Sequence, residues 1–260
     1  MLADFTVNLS DDPGINSDLE ALVRSVLEEV SKMFSECPPA GTRPIRVLYC
    51  PEGPITDSTT DTTVYRIGLS VCERSYSQLV FQLGHELCHV FADPRRTNWF
   101  VESCCAMVSL MLLRRLSMPL GIPPSPHWVS CARSFEAYAD ARIQHATATV
   151  LGSDSLPDQP QLSEWLTTVS DSFREDPLNR PRNIIIAEML RPFFEESVEN
   201  WDALRFLGKA CSSPPATLDD PNLYSDFEFE RWLEAVPEHL KDLVRRISDV
   251  CEDRTPPSNG

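Results

Sequence analysis

Two histidines and a glutamate lie within one short segment, His85-Glu86-Leu87-Cys88-His89. Side chains four positions apart share one helical face, so both imidazoles can reach a single metal ion. A carboxylate beside the first histidine can accept a proton from water bound to that ion, which explains a glutamate at the second position. With 5 histidines in 260 residues, a chance match is on the order of one in a hundred. The spacing predicts one zinc ion per chain, with Glu86 as general base; the alternative is an amphipathic helix with two ordinary histidines.

A catalytic zinc usually has three protein ligands and one open position. We expect Glu102 to be the third ligand, because an unpaired carboxylate at the start of an apolar helix would be costly to bury. A favourable charge at a helix N-terminus is the alternative explanation of Glu102. Asp93 is a weaker candidate, since it precedes a proline that ends the metal helix. Three nearby cysteines are interpreted as core thiols rather than ligands: Cys88, Cys104 and Cys105.

Hydrolysis of a carbonyl compound also needs a donor for the developing oxyanion. Tyr138 and His145 are candidates, because seven positions bring them close to two helical turns apart and onto one face. His127, which lies between Pro126 and Trp128, is a third candidate. Ordinary residues of a helix surface are the alternative for all three.

The elements that must position these residues follow from hydrophobic periodicity. The patterns predict an opening helix at 16–34 capped by Ser17 or Asp18, then two strands and a series of helices. The fold class is therefore α+β, with a small sheet and a mostly helical C-terminal region. We expect a catalytic core at 1–150, a helical extension at 151–252 and a disordered tail at 253–260. The strands are predicted at 45–50 and 64–71, separated by a polar loop, and the later helices at 75–92, 98–116, 129–150, 159–174, 181–208 and 226–250.

The metal motif, followed by Glu102-Ser-Cys-Cys-Ala106, resembles the zincin metallopeptidases of the gluzincin type. In that family a glutamate on the next helix completes the zinc site. The resemblance covers residues 44–116 and implies a peptidase whose strand 64–71 binds extended substrate by strand addition. The interval from His89 to Glu102 is shorter than in thermolysin-like enzymes. Ala106 also stands where many gluzincins carry an aspartate that orients a histidine, so the subfamily is left open.

Composition restricts the partners. A formal net charge of −16 argues against nucleic acid, which requires clustered Lys and Arg. The apolar run 101–113 is too short to cross a membrane, and the N-terminus lacks the pattern of a signal peptide. The number of cysteines is odd, nine, which fits free thiols in a cytoplasmic protein better than a framework of disulfides. We expect a protein or peptide substrate and no membrane, and the C-terminal helices could line the substrate cleft or bind a regulatory protein.

Two other functions remain open. A non-enzymatic regulatory or binding protein could keep a zincin-like zinc site for stability. An amidohydrolase of the deformylase kind would require Cys72 as a zinc ligand, because no other upstream cysteine is well placed.

Overall fold

The computed structural model describes residues 4–36, 38, 41–57, 63–92, 97–117, 126–153, 155–156, 158, 161, 164–169, 176–212 and 225–252, without the side chains of residues 57, 126–130 and 132. Its sheet has four strands in the order β1-β2-β4-β3. Strands β1, β2 and β4 are parallel, and β3 pairs antiparallel with β4 at one edge. The strands are β1 (Phe5–Asn8), β2 (Ile45–Tyr49), β3 (Ile55–Asp57) and β4 (Tyr65–Leu69).

The structure confirms the two predicted strands as β2 and β4, but the sheet has two more. The N-terminal strand β1 was not predicted, and β3 lies within the segment interpreted as a polar loop. A strand of three residues has almost no periodicity of its own, so its pairing with Gly68 and its neighbours on β4 is what defines it.

The family resemblance implied that strand 64–71 binds extended substrate by strand addition, and this prediction is wrong. Strand β4 is hydrogen-bonded to β2 along residues 65–69 and to β3 along residues 66–68. Both of its sides are therefore already paired, and no further strand can add to it there. Among the described residues the outer side of β3 carries no paired strand.

One face of the sheet packs on the helical layer. Ile45, Val47 and Ile67 are buried on that face, whereas Arg46 and Arg66 alternate with them and are exposed.

The expected α+β class with a mostly helical C-terminal region is confirmed. The helices are α1 (Pro13–Met33), α2 (Tyr76–Ala92), α3 (Trp99–Ser117), α4 (Pro126–Leu151), α5 (Arg180–Glu195), a 3-10 helix (Val198–Ala210), α6 (Phe229–Ala235), a 3-10 turn (Glu238–Leu240) and α7 (Lys241–Cys251).

Helix α1 has the predicted buried face but a different start. The cap is Asp12, whose carboxylate accepts hydrogen bonds from the N–H groups of Gly14 and Ile15 over 2.8 and 3.0 Å. Ser17 and Asp18 lie inside the helix instead. The helix begins earlier because Pro13 at its first position already has the φ angle that a helix needs.

Two long helices predicted near the C-terminus are interrupted. The segment 226–250 breaks before Pro237, where Val236 is extended because proline disfavours helical geometry in the preceding residue. The segment 181–208 divides into α5 and a 3-10 helix, which Ser197 caps through a bond from the N–H of Glu199. Of the predicted helix 159–174, residues 164–169 are helical and several others lie outside the described residues.

Helices α2 and α3 approach each other closely at Gly84, the residue before His85. A Cβ atom built on Gly84 would lie 2.8 Å from Leu112 Cδ1 and 3.1 Å from Ser109 Cα. Glycine is therefore needed for the two backbones to come this close. The contact brings the helix that carries the histidines against the helix that carries Glu102.

Helix α3 is central to the core, as predicted, and the C-terminal region packs on it. Arg114 on α3 donates two hydrogen bonds to the buried Glu188 of α5 over 2.8 and 3.0 Å. Buried residues from both parts of the chain belong to one hydrophobic core. The proposed boundary at residue 150 remains a prediction. Among the described residues, none of the helices combines the length and apolar character needed to cross a membrane.

Candidate metal centre

The carboxylate of Glu102 lies between the two imidazoles. His85 Nε2 is 3.1 Å from Glu102 Oε2, and His89 Nε2 is 3.3 Å from Glu102 Oε1. The ring centroids of the two histidines are 5.0 Å apart. The side chains are 19%, 12% and 9% exposed for His85, His89 and Glu102 respectively. The three residues selected by sequence pattern thus meet in one partly buried cluster.

Two local features bring His85, His89 and Glu102 into contact. The i, i+4 spacing places both histidines on the side of α2 that faces the start of α3. Asn98 caps α3, since its Oδ1 accepts hydrogen bonds from the N–H groups of Phe100 and Val101 over 3.1 and 3.0 Å. This cap begins α3 one turn before Glu102 and so points the first turn of α3 at the histidines.

The cluster contains side chains of the types that bind zinc. Two imidazole nitrogens and a carboxylate oxygen are typical zinc ligands, at distances of about 2.0–2.2 Å from the metal. Two such ligands around a tetrahedral ion lie about 3.3 Å apart. The two imidazoles are near this distance from different oxygens of Glu102, since His85 Nε2 lies 3.1 Å from Oε2 and His89 Nε2 lies 3.3 Å from Oε1. Coordination would also compensate the burial of the Glu102 carboxylate.

The same contacts shift the pKa values of the cluster. Burial alone would lower the pKa of His89, but the neighbouring Glu102 carboxylate outweighs it and raises this pKa to about 9. For Glu102, burial acts to raise the pKa, but His89 and the hydrogen bond with His85 together hold it well below its usual range. Without a metal, the cluster therefore favours a protonated His89 beside an ionised Glu102.

Glu86 lies beside the cluster and is only 4% exposed. The hydroxyl of Thr56 lies 2.8 Å from Glu86 Oε2, to which it donates a hydrogen bond, and 3.1 Å from the Glu86 carbonyl oxygen. Thr56 belongs to β3, so the edge strand passes directly over the carboxylate. The sequence analysis missed Thr56 because it treated this segment as a loop.

Cys105, which the sequence predicts to be a core thiol and not a ligand, also lies near the two histidines. Its sulfur and one ring nitrogen from each of His85 and His89 lie within 4.8 Å of one another. Cys105 is fully buried, and burial together with the neighbouring Cys88 raises the pKa of its thiol well above the usual value. The available signal was its position three residues after Glu102, which places both side chains on one face of α3.

Two other predicted site residues, Tyr138 and His145, form no hydrogen bond or ion pair with this cluster in the described part of the chain. Tyr138 packs edge-on against Phe81, one turn before His85, with ring centroids 6.1 Å apart. His145 is exposed on α4. The roles of Tyr138 and His145 therefore stay predictions. The side chain of His127 and the whole of Asp93 lie outside the described residues.

Two further features lie away from the cluster. Cys72, which a deformylase-like site would require, lies close enough to Tyr49 at the end of β2 to raise the pKa of that tyrosine. A cavity of about 190 Å³ lies on another side of α2, lined by Leu27, Leu87, Phe91 and residues around them, and it contains none of the candidate ligands.

No family model matches the chain, and no curated protein or solved structure matches it significantly. The likeness to zincins therefore rests on the motif and on the geometry around Glu102.

Proposed function

We propose that this protein is a zinc-dependent metallopeptidase. The observation that supports the proposal is the contact of Glu102 with both His85 and His89, beside a buried Glu86. The i, i+4 pattern alone would place two histidines on one face. A buried carboxylate arriving from a second helix adds the third ligand that a catalytic zinc site needs.

Each residue has a distinct part in the proposed reaction. His85, His89 and Glu102 would hold the ion, which when bound supplies Lewis-acid chemistry for attack of water on a carbonyl. Glu86 accepts a proton from the attacking water and passes it to the leaving amine as the C–N bond breaks. The Thr56 hydrogen bond fixes one Glu86 oxygen, which leaves the other free to exchange the proton.

Strand β3 is the proposed binding edge for substrate. Its outer side is unpaired among the described residues, and Thr56 connects it directly to Glu86. An extended peptide that hydrogen-bonds along this edge would place its backbone carbonyls near the general base. Ile55, 53% exposed on the same strand, adds an apolar contact for a substrate side chain.

Cytoplasmic localisation belongs to the proposal as well. The cysteines in the described part of the chain are all free thiols, and such usage is typical of a reducing compartment. The net charge of −16 favours peptides over nucleic acids as substrates.

Replacement of the general base tests this function. The zinc-loaded wild-type protein and Glu86→Gln are incubated with an internally quenched fluorogenic peptide library, and zinc content is measured in parallel. We expect Glu86→Gln to keep its zinc and to lose hydrolysis by at least ~100-fold, because the amide cannot accept the proton. Glu136→Gln, an exposed glutamate on α4, is the matched control. Equal hydrolysis by Glu86→Gln and wild type would refute the peptidase assignment.

The position of Cys105 favours a second candidate, a non-enzymatic protein with a closed structural zinc site. A thiolate ligand beside two histidines and a carboxylate would fill the fourth position and leave no place for substrate. Substitution with Co²⁺ separates the candidates, since thiolate ligation adds a sulfur-to-metal charge-transfer band in the near ultraviolet. The band should be absent from an open hydrolase. Its presence in wild type and loss in Cys105→Ser would support the closed site.

A further inference from the structure

The carboxylate of Glu102 has a third neighbour besides the two imidazoles. Thr97 Oγ1 donates a hydrogen bond over 2.7 Å to Glu102 Oε1, the oxygen that faces His89. The other oxygen, Oε2, is thereby turned towards His85. A partner that holds a ligand in one orientation reduces the freedom that the ligand loses when it binds a metal. Thr97 is therefore placed to act on the centre through Glu102.

Thr97 itself is held by a segment from the other end of the chain. The N–H of Ser225 donates to the carbonyl oxygen of Thr97 over 2.9 Å. Close to Ser225 in sequence, Phe227 forms an antiparallel bridge with Cys211, at the end of the 3-10 helix. We call the paired residues 210–212 and 225–228 the C-terminal bridge. It connects the C-terminal region to the residue that orients Glu102.

Asn98 makes a second connection between the same segments. Besides capping α3 through its Oδ1, Asn98 donates from Nδ2 towards Ser225 Oγ and Cys211 Sγ, at 3.5 and 3.6 Å. Asn98 is only 2% exposed. A buried amide that serves both the helix cap and the C-terminal bridge couples the position of one to the other.

An aromatic cluster anchors the C-terminal bridge beneath α3. The ring of Phe100, which is fully buried, lies 4.5 Å from Phe227, 4.9 Å from Phe229 and 5.3 Å from Trp232, measured between centroids. Trp232 also donates from Nε1 to the carbonyl oxygen of Ala203 over 3.0 Å. Aromatic contacts of this kind stabilise beyond their buried area. The C-terminal bridge is thus seated on the first turn of the helix that carries Glu102.

We infer that Thr97 is a positioning residue for Glu102, and that the C-terminal bridge sets the metal affinity of the centre by holding Thr97 in place. The inference rests on the proposed metal centre. It assigns to the C-terminal region a function in the site, in addition to packing against the core.

The test measures the dissociation constant of Zn²⁺ by competition with a chromophoric chelator, on the full-length protein. We expect Thr97→Val, which keeps the shape but removes the hydroxyl, to weaken binding about 10–100-fold. Thr97→Ser retains the hydroxyl and should restore most of the affinity. Thr147→Val is the matched control, because Thr147 is also buried but donates to the Ile143 carbonyl within α4.

A second pair of variants tests the C-terminal bridge. Ser225→Pro removes the N–H that holds the Thr97 carbonyl, whereas Ser225→Ala keeps it. We expect a smaller loss of zinc affinity than in Thr97→Val for the proline variant. The alanine variant, which loses only the hydroxyl that faces Asn98 Nδ2, should lose less affinity than the proline variant. Melting temperatures in chelator show which variants fold.

The outcomes are distinguishable. A folded Thr97→Val protein with wild-type zinc affinity overturns the inference. If wild type binds zinc without cleaving peptides while Thr97→Val binds it weakly and Thr97→Ser normally, the peptidase proposal fails and the positioning role is supported. A wild-type protein that binds no Zn²⁺ overturns both proposals.

Discussion

The two helices of the candidate centre hold the proposed zinc ligands in different ways. On α2, His85 and His89 share a face because they are four residues apart, and the helix itself is sufficient. On α3, Glu102 depends on Thr97 and Asn98. Asn98 in turn contacts Cys211 and Ser225, which are 113 and 127 positions away in the sequence. One half of the centre is local, and the other half is assembled by the tertiary fold. Changes far from the site should therefore affect the Glu102 half more than the histidine half.

The largest expected effect comes from removing ligands on the two sides. His85→Ala should abolish stoichiometric zinc binding, because a single histidine and a carboxylate cannot hold the ion tightly. Glu102→Gln should weaken binding less, since both histidines remain on their helix. Zinc content by plasma mass spectrometry after exchange into chelator-free buffer measures both effects. His145→Ala is the matched control, as an exposed histidine.

Equal zinc loss in His85→Ala and Glu102→Gln would contradict the expectation that the histidine half binds the ion more strongly than the Glu102 half. Full zinc retention in His85→Ala would exclude the centre altogether.

A change at the contact between the helices should have a moderate effect. Gly84→Ala places a methyl group 3.1 Å from the backbone of Ser109, so α2 and α3 must separate slightly. We expect the free energy of unfolding to fall by ~1–3 kcal/mol and the zinc affinity to fall with it. Urea denaturation measures the first quantity and chelator competition the second.

Gly14→Ala in α1 is a suitable comparison. The nearest neighbour of its added Cβ is the capping oxygen of Asp12, at 3.2 Å, so any loss of stability arises at the start of α1 and should leave the zinc affinity unchanged. Normal zinc affinity in Gly84→Ala would show that the close approach of the helices does not position Glu102.

The smallest expected effect is a pH dependence of the metal-free protein. The Glu102 carboxylate raises the pKa of His89 to about 9, above the ordinary value of about 6.5. The stability contributed by this shift is fully present below pH 6.5 and is lost as pH rises to 9, because only the folded state holds the proton in that interval. Urea unfolding in chelator at pH 6.5 and 9 measures the loss, and Glu102→Gln should show less of it.

Zinc binding should have the opposite dependence on pH. A histidine binds a metal only in its neutral form, so protons compete with Zn²⁺ for His89 until its imidazole is deprotonated. The affinity of wild type should increase between pH 6.5 and 9. A constant affinity over this range would indicate that His89 is not protonated beside Glu102.

The sequence by itself determined the features that repeat within a single element. The buried face of α1, the apolar character of α3 and the pairing of His85 with His89 follow from helical periodicity, which needs no knowledge of the rest of the chain. The contact of Glu102 with polar partners was also predictable, because a carboxylate at the start of an apolar helix requires a partner. Its role as a zinc ligand stays a prediction.

Only the tertiary structure decided which residues surround the proposed ligands. Strand β3 is too short for a periodic pattern, so the hydrogen bond from Thr56 to Glu86 became visible only with the sheet assembled. The position of Cys105 beside the histidines depends on how α3 packs against α2. The bond from Ser225 to Thr97 joins segments far apart in the chain. Contacts of this kind arise from packing between elements, and spacing within one element carries no information about them.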